Sequence, residues 1–261
     1  MKIACAQMDM RLGESTYNLP HALELIRKAA AAGADTVLLP ETFNVGFFPR
    51  ENLAEQADRD GEIITMTFGA LAAELHVNIV AGSAVTLRGD KVYNTAYVFD
   101  RAGACVASYD KTHLFTPMGE HEYFTPGKSL CTFTLDGVKC GLIICYDLRF
   151  PELTRSLVLA GADLLFVPAQ WPAVRREHWQ TLNRARAIEN QIFLACCNSC
   201  GTAGETVYGG FSAIYDPWGT LLAEAGAHEE IITADCDFTV KEQIRSSINV
   251  FRDRRPELYQ L

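Results

Sequence analysis

The sequence predicts an α/β protein in which helices cover mixed β-sheets. Three observations carry this. Segments with helical spacing alternate with short strand-like runs along the chain, an order that gives sheets covered by helices. Several of those runs, such as TVLL (36–39) and LLFV (164–167), are almost wholly apolar, as strands buried on both faces are. Other runs form tight hairpin pairs, so parallel and antiparallel neighbours are both expected.

The elements follow in order. Residues 2–7 read as a first strand, because the apolar stretch at the start is too short for a signal peptide. Leu19, Leu23, Leu25, Ile26 and Ala29 recur at helical spacing and define a helix over 18–32. Gly33 suits the C-terminal cap of that helix, and GADTVLLPE (33–41) carries a buried strand. An Ala- and Leu-rich helix over 61–75 precedes a strand over 78–85. KVYNTAYVFD (91–100) alternates as a strand does, with ACVASYDK (104–111) as its neighbour. CTFTL and KCGLIIC flank Asp136-Gly137 and read as a hairpin. A helix over 151–160 leads into GADLLFVPA (161–169), and a helix over 175–190 leads into the strand QIFLACCNS. GGFSAIYDPWGTLLAEA holds two strands around a turn at 216–219, and a strand over 230–235 closes the core. The last twenty residues show little core pattern. No linker interrupts the chain, so one domain over 1–261 is expected.

GADTVLLPE and GADLLFVPA match as corners. Each follows a helix and places Gly-Ala-Asp before four strand residues and a proline. Two such corners imply two similar half-sheets.

Bulk properties exclude some functions. The net charge of −9 repels phosphate backbones and argues against nucleic-acid binding. No stretch reaches the roughly 18 apolar residues of a membrane span. A cytoplasmic location is expected, where the nine cysteines remain free thiols packing as small hydrophobes. Cys197 and Cys200 form a CxxC, but a structural zinc site needs four ligands and no second CxxC exists. Those thiols read as small residues at a strand end.

Chemistry in α/β folds gathers at the carboxyl ends of strands. Three reactive side chains pass that filter: Glu41, Lys111 and Cys145. A lysine cation and a helix starting after Cys145 would favour the thiolate. A carboxylate can act as general base. The lysine and a backbone N–H can hold a developing oxyanion. Together they describe acyl transfer through a thioester. Each also has a structural reading: Cys145 as core, Glu41 as a helix cap, Lys111 as a solvated strand end. Cys5, Cys131 and Cys140 sit in similar strands and read as inert. A cysteine–histidine hydrolase is the rival mechanism, with His113, His121 and His178 as candidates. Arg149, Arg175, Arg176, Arg184 and Arg186 are candidates for gripping a substrate carboxylate, or for holding the fold. Gln170 and Trp171, at the end of FVPA, and Phe43 and Phe115 are candidate pocket residues.

LLPETFNVGFF, YDKTHLFTPMGEHEYFTPG and GLIICYDLRFPEL resemble the three signature segments of the nitrilase superfamily of carbon–nitrogen hydrolases. The resemblance covers nearly the whole chain, including HWQTLNRARAIENQIFLACCN and YDPWGTLLAEAG. It implies a four-layer αββα sandwich with two mixed β-sheets, paired into a homodimer or higher homo-oligomer, with no metal and no organic cofactor. It implies Glu41 as general base and Cys145 as nucleophile. Lys111 and the Tyr146 backbone N–H would stabilise the oxyanion. The family's second glutamate matches Glu120 rather than Glu122, from its spacing seven residues before Gly127. Histidine receives no general-base role, and His113 is expected to support the site. Tyr146, Phe115, Gln170 and Trp171 would meet the substrate.

Tyr-Asp after the cysteine resembles the amidase branches, where nitrilases of the family tend to have Trp-Glu. The chain has no room for the domain of the glutamine-dependent synthetases. CYDLRFPEL and HWQTLNRARAIENQ look most like the omega-amidase branch, whose enzymes deamidate 2-oxoglutaramate and 2-oxosuccinamate. The alternatives are an N-carbamoyl amine or amino-acid amidohydrolase and an amidase of deaminated glutathione.

Overall fold

The computed structural model describes residues 1–259. The last two residues of the span expected to form one domain lie outside these. The first sheet contains β1 (Lys2–Gln7), β2 (Thr36–Leu38), β3 (Asp58–Arg59), β4 (Asn78–Val80), β5 (Ala84–Arg88), β6 (Lys91–Phe99) and β7 (Cys105–Asp110). The second contains β8 (Thr132–Leu135), β9 (Val138–Leu142), β10 (Leu164–Ala169) and β11 (Phe193–Asn198). A small ribbon, β12 (Thr202–Ala203) with β13 (Thr206–Val207), precedes its remaining strands, β14 (Ala213–Tyr215) and β15 (Leu221–Glu224). The chain then returns to the first sheet as β16 (Glu230–Asp235), antiparallel to β1.

Both sheets are mixed. The first runs β16-β1-β2-β4-β6-β5-β3, with β7 paired to β6. Its centre is parallel, β1 to β2 and β2 to β4, and its flanks are mostly antiparallel. The second runs β15-β14-β11-β10-β9-β8, with β10 parallel to both neighbours.

Alternation along β1 sets the layers. Ile3 and Cys5 enter a core between the sheets with Leu38, Val98, Leu142 and Phe166. Ala4 and Ala6 face the other way, toward Leu25 and Ile26 of α1 (Ser15–Ala31). Short α2 (Leu53–Gln56) precedes α3 (Glu62–Leu75), whose Phe68 and Leu71 join that same outer core. Beyond the short α4 (Glu120–Tyr123), α5 (Pro151–Leu159) and α6 (Arg176–Asn190) pack on the second sheet through Leu157, Trp179 and Ala187. The result is helices, sheet, sheet, helices: the expected αββα sandwich. No helix among the described residues is long and apolar enough to cross a membrane.

The two Gly-Ala-Asp corners are equivalent in hydrogen bonding. Asp35 donates its N–H to Lys2 O at 2.8 Å and accepts from Asn78 N at 2.9 Å. Asp163 donates to Lys139 O at 2.8 Å and accepts from Phe193 N at 3.0 Å. Each aspartate thus bridges the two strands beside its own. One corner feeds β2 and the other β10, in different sheets.

Three expectations need correction. The strand expected over 78–85 is two strands, because Gly82 breaks it at φ +55°. A side chain there would lie 1.8 Å from the Pro40 carbonyl oxygen. The first helix starts at Ser15 rather than 18, its polar first turn giving no apolar period. The C-terminal region holds a further helix, α7 (Val240–Ser247), in which Ile244 is the one buried residue, so no apolar period was legible.

Candidate active site

Glu41, Lys111 and Cys145 follow the carboxyl ends of β2, β7 and β9. Pro40 and Gly82 pack backbone on backbone, which brings Glu41 between the sheets. Its backbone N–H donates to Ala169 O at the end of β10, at 3.4 Å. Gly127 packs against the backbone of Asp110 and donates to Lys111 O at 2.9 Å, fixing the end of β7.

Cys145 sits on a strained turn. Its φ is +48°, a left-handed conformation that costs a non-glycine residue about 1 kcal/mol or more. The buried Asp147 carboxylate holds the turn. It accepts from Ile144 N at 3.0 Å, from His113 N at 2.9 Å and from Tyr109 Oη at 2.8 Å, and contacts His113 Nδ1 at 2.7 Å. Behind it the Arg186 guanidinium donates to Leu148 O at 3.0 Å. His113 therefore braces the turn, as expected of a supporting group.

The charged side chains form one buried network. Lys111 Nζ donates to Glu41 Oε1 at 2.8 Å and to Glu120 Oε1 and Oε2 at 2.9 and 2.8 Å. Asn94 Nδ2 donates to Glu41 Oε1 at 2.8 Å and to Glu120 Oε1 at 3.2 Å. Gln170 N–H donates to Glu41 Oε2 at 2.9 Å, and Phe115 N–H donates to Glu120 Oε2 at 2.6 Å. All three charged groups are essentially fully buried. Glu120 is the member of the network and Glu122 is exposed.

Burial pulls the Lys111 ammonium toward neutrality, but Glu120 and Glu41 outweigh it and hold its pKa well above the ordinary lysine value. Burial pushes the Cys145 thiol well above its ordinary value, and the Glu41 charge adds to this. Lys111 opposes them and loses. Lys111 thus favours the thiolate as expected, but burial and Glu41 outweigh it. The turn after Cys145 is a 3-10 turn over Cys145–Arg149, and α5 begins only at Pro151. At rest the site is a neutral thiol beside a carboxylate. Glu41 Oε1 is occupied by Lys111 and Asn94, whereas Oε2 accepts only the Gln170 N–H among the described residues. That oxygen keeps a lone pair for the thiol proton.

Cys145 and Lys111 line one pocket. Phe115, Tyr146, Gln170 and Trp171 line it, and Phe47 and Met118 add to its apolar wall. Phe43 does not line it. It is buried behind the site, its ring centroid 5.4 Å from that of Phe68. Arg149 and Arg175 reach the cavity. Arg184 is bound to Gly219 O at 2.9 Å and Arg186 to Leu148 O, so both hold the fold. His121 is exposed on α4, and His178 contacts Arg149 at 3.2 Å. Cys196, Cys197 and Cys200 are free and buried. Sequence reasoning missed Asn94 and Asp147. Their one signal was a polar residue interrupting an apolar pattern, in VYNTAYV and LIICYDL.

A buried cysteine, glutamate and lysine at the strand ends of an αββα sandwich define the class of carbon–nitrogen hydrolases acting on amides. The chain belongs to the carbon-nitrogen hydrolase family, whose model matches residues 2–246. It is 42% identical to the 2-oxoglutaramate amidase of Bacillus subtilis, over 98% of each chain. It is 34% identical to the omega-amidase NIT2 of Homo sapiens, over 93% of this chain and 91% of that one. Among solved structures it is similar to Saccharomyces cerevisiae Nit3, a member of branch 10 of the nitrilase superfamily. That likeness has a TM-score of 0.86 and 29% identity, over 98% of this chain and 96% of that one. A mutant of the amidase from Nesterenkonia sp. AN1 carries the acetamide moiety of fluoroacetamide on its active site cysteine. It matches with the same TM-score and identity, over 99% and 95%.

Proposed function

We propose that this protein is an omega-amidase, hydrolysing 2-oxoglutaramate or 2-oxosuccinamate to the dicarboxylate and ammonia through a thioester on Cys145. The observation that carries the mechanism is the Cys145 thiol beside a Glu41 carboxylate that Lys111, Asn94 and the Gln170 N–H hold in place. Likeness to the 2-oxoglutaramate amidase of Bacillus subtilis supports the substrate, and the largely apolar wall of Phe47, Phe115, Met118 and Trp171 in the pocket of Cys145 suits a short acyl chain.

In the proposed sequence, sulfur attacks the amide carbon as the thiol proton passes to Glu41. Lys111 and the Tyr146 N–H stabilise the oxyanion. Glu41 returns the proton to the leaving nitrogen, the C–N bond breaks and ammonia departs. Water then attacks the thioester, giving its proton to Glu41, and the C–S bond breaks to regenerate the thiol and release the acid. Glu120 positions Lys111 throughout. Phe115, Tyr146, Gln170 and Trp171 bound the acyl group. The enzyme works as one domain, as a cytoplasmic homodimer or higher homo-oligomer.

Ammonia release from 2-oxoglutaramate, beside glutamine and an N-carbamoyl amino acid, tests this reading with Cys145→Ala as control. Release mainly from 2-oxoglutaramate, lost in the control, is expected. Preference for the carbamoyl compound would overturn the substrate and keep the chemistry. Release surviving in Cys145→Ala would remove the nucleophile.

A further inference from the structure

We propose that Arg175 grips a carboxylate at the far end of the substrate and so selects monoamides of dicarboxylic acids over neutral amides. The inference rests on the amidase reading above and narrows it to one residue.

Arg175 lines the same cavity as Cys145. Its position is fixed from two sides. The Trp171 indole N–H donates to Arg175 O at 2.9 Å, and the guanidinium lies over the Phe115 ring, 5.5 Å from its centroid. Both aromatic rings are walls of the cavity. The guanidinium has no carboxylate within 4.0 Å among the described residues, although eight other arginines have one. It also sits at the N-terminal end of α6, where the helix dipole disfavours positive charge. A bound anion would offset that cost.

The other cations of the cavity are less available. Lys111 is already paired with Glu41 and Glu120. Arg149 stacks over Trp171 at 4.7 Å and contacts His178 Nδ1 at 3.2 Å. The rest of the wall is largely apolar, through Phe47, Phe115, Met118 and Trp171. Such a cavity offers an amide end at Cys145, a greasy middle and one free planar cation, which a carboxylate can engage through two parallel hydrogen bonds.

The test compares glutaramate with pentanamide, which have the same carbon count and differ by one terminal carboxylate. Ammonia release gives kcat and KM for both, in the parent and in Arg175→Ala, Arg175→Lys and Arg176→Ala. The expected result is a fall of about 30-fold in the preference for glutaramate in Arg175→Ala, mostly through KM. Arg175→Lys should recover part of it, because lysine keeps the charge and loses the fork. Arg176→Ala, one residue along and outside this cavity, should change the preference less than about threefold. Calorimetric binding of glutarate reads the same clamp without turnover, and it should weaken about 30-fold in Arg175→Ala. Equal losses on both substrates in Arg175→Ala, or undiminished glutarate binding, overturn the proposal. So does a parent enzyme that shows no preference, which leaves the amidase reading intact. A parent inactive on every amide overturns that reading, and glutarate binding still decides the clamp.

Discussion

Cys145 keeps its proton at rest because burial and the Glu41 charge together outweigh Lys111. Its reactivity should therefore not resemble that of an acidic catalytic thiolate. The rate of iodoacetamide inactivation is expected to keep rising with pH past 8.5 without levelling near neutrality. A plateau below pH 8 would contradict the protonated resting state. Glu41→Gln separates two effects that usually travel together. It removes a negative charge that raises the thiol pKa, so alkylation of Cys145 should shift to lower pH. It also removes the proposed base, so turnover should fall by about 10²-fold or more. A variant that alkylates faster at pH 7 and hydrolyses slower is the signature sought. Parallel loss of both would mean that Glu41 acts only as scaffold. Asn94 belongs to the same balance, since its amide donates to both glutamates. Asn94→Asp would replace that donor by a third buried carboxylate, and activity loss of at least tenfold is expected from the same ammonia assay.

Elements place these residues by close backbone approach, and glycine is where that shows. Gly82 has φ +55° and would put a Cβ 1.8 Å from Pro40 O. Gly137, in the hairpin turn between β8 and β9, has φ +80° and nothing within 4 Å of its Cβ position. Gly82→Ala is expected to cost about 3 kcal/mol in urea unfolding and to displace Glu41 with loss of turnover. Gly137→Ala carries only the left-handed penalty, about 1 kcal/mol, and should stay active. Similar losses in both would show that backbone strain, not the Pro40 contact, is what matters at Gly82. The contrast explains what was legible in sequence. The helix over 62–75 and the strand over 91–99 have their own periodicity, so local pattern found them. The break at Gly82 is imposed by a carbonyl more than forty residues away, which no window covers. Glu41, Lys111 and Cys145 were legible as reactive residues at strand ends. Asn94 and Asp147 were not, because an amide in an apolar strand and a carboxylate in the turn after one acquire meaning only from partners on other elements. The protonated thiol was not legible for the same reason: it follows from burial and from the charge of Glu41 on another element, which outweigh the lysine.

The molecule as a whole carries a second consequence of buried thiols. Seven besides Cys145 are free and buried: Cys5, Cys131, Cys140, Cys196, Cys197, Cys200 and Cys236. Burial is the leading cause that raises each of them, to about 12 for Cys131, Cys140, Cys200 and Cys236, and well above the ordinary value for Cys5 and Cys197. A raised folded-state pKa means that the native state holds protons the unfolded chain releases. The stabilisation is therefore complete below the unfolded thiol value of about 8.5 and is lost as pH climbs from there toward 12. At pH 9 each such thiol costs on the order of 1 kcal/mol relative to neutral pH, so the seven together remove several kcal/mol. That is comparable with the whole stability of a typical domain, about 5–15 kcal/mol. Lys111, also raised, adds to the loss only above the unfolded lysine value of about 10.4. The melting temperature, followed by circular dichroism under reducing conditions, should be nearly flat from pH 7 to 8 and fall steeply between 8.5 and 10. Replacing Cys196 and Cys197 together by alanine removes two of the seven titrating groups. That variant should melt lower at pH 7, from lost packing, yet fall less steeply above pH 8.5. Parallel curves for the two proteins would assign the alkaline loss to groups other than the core thiols.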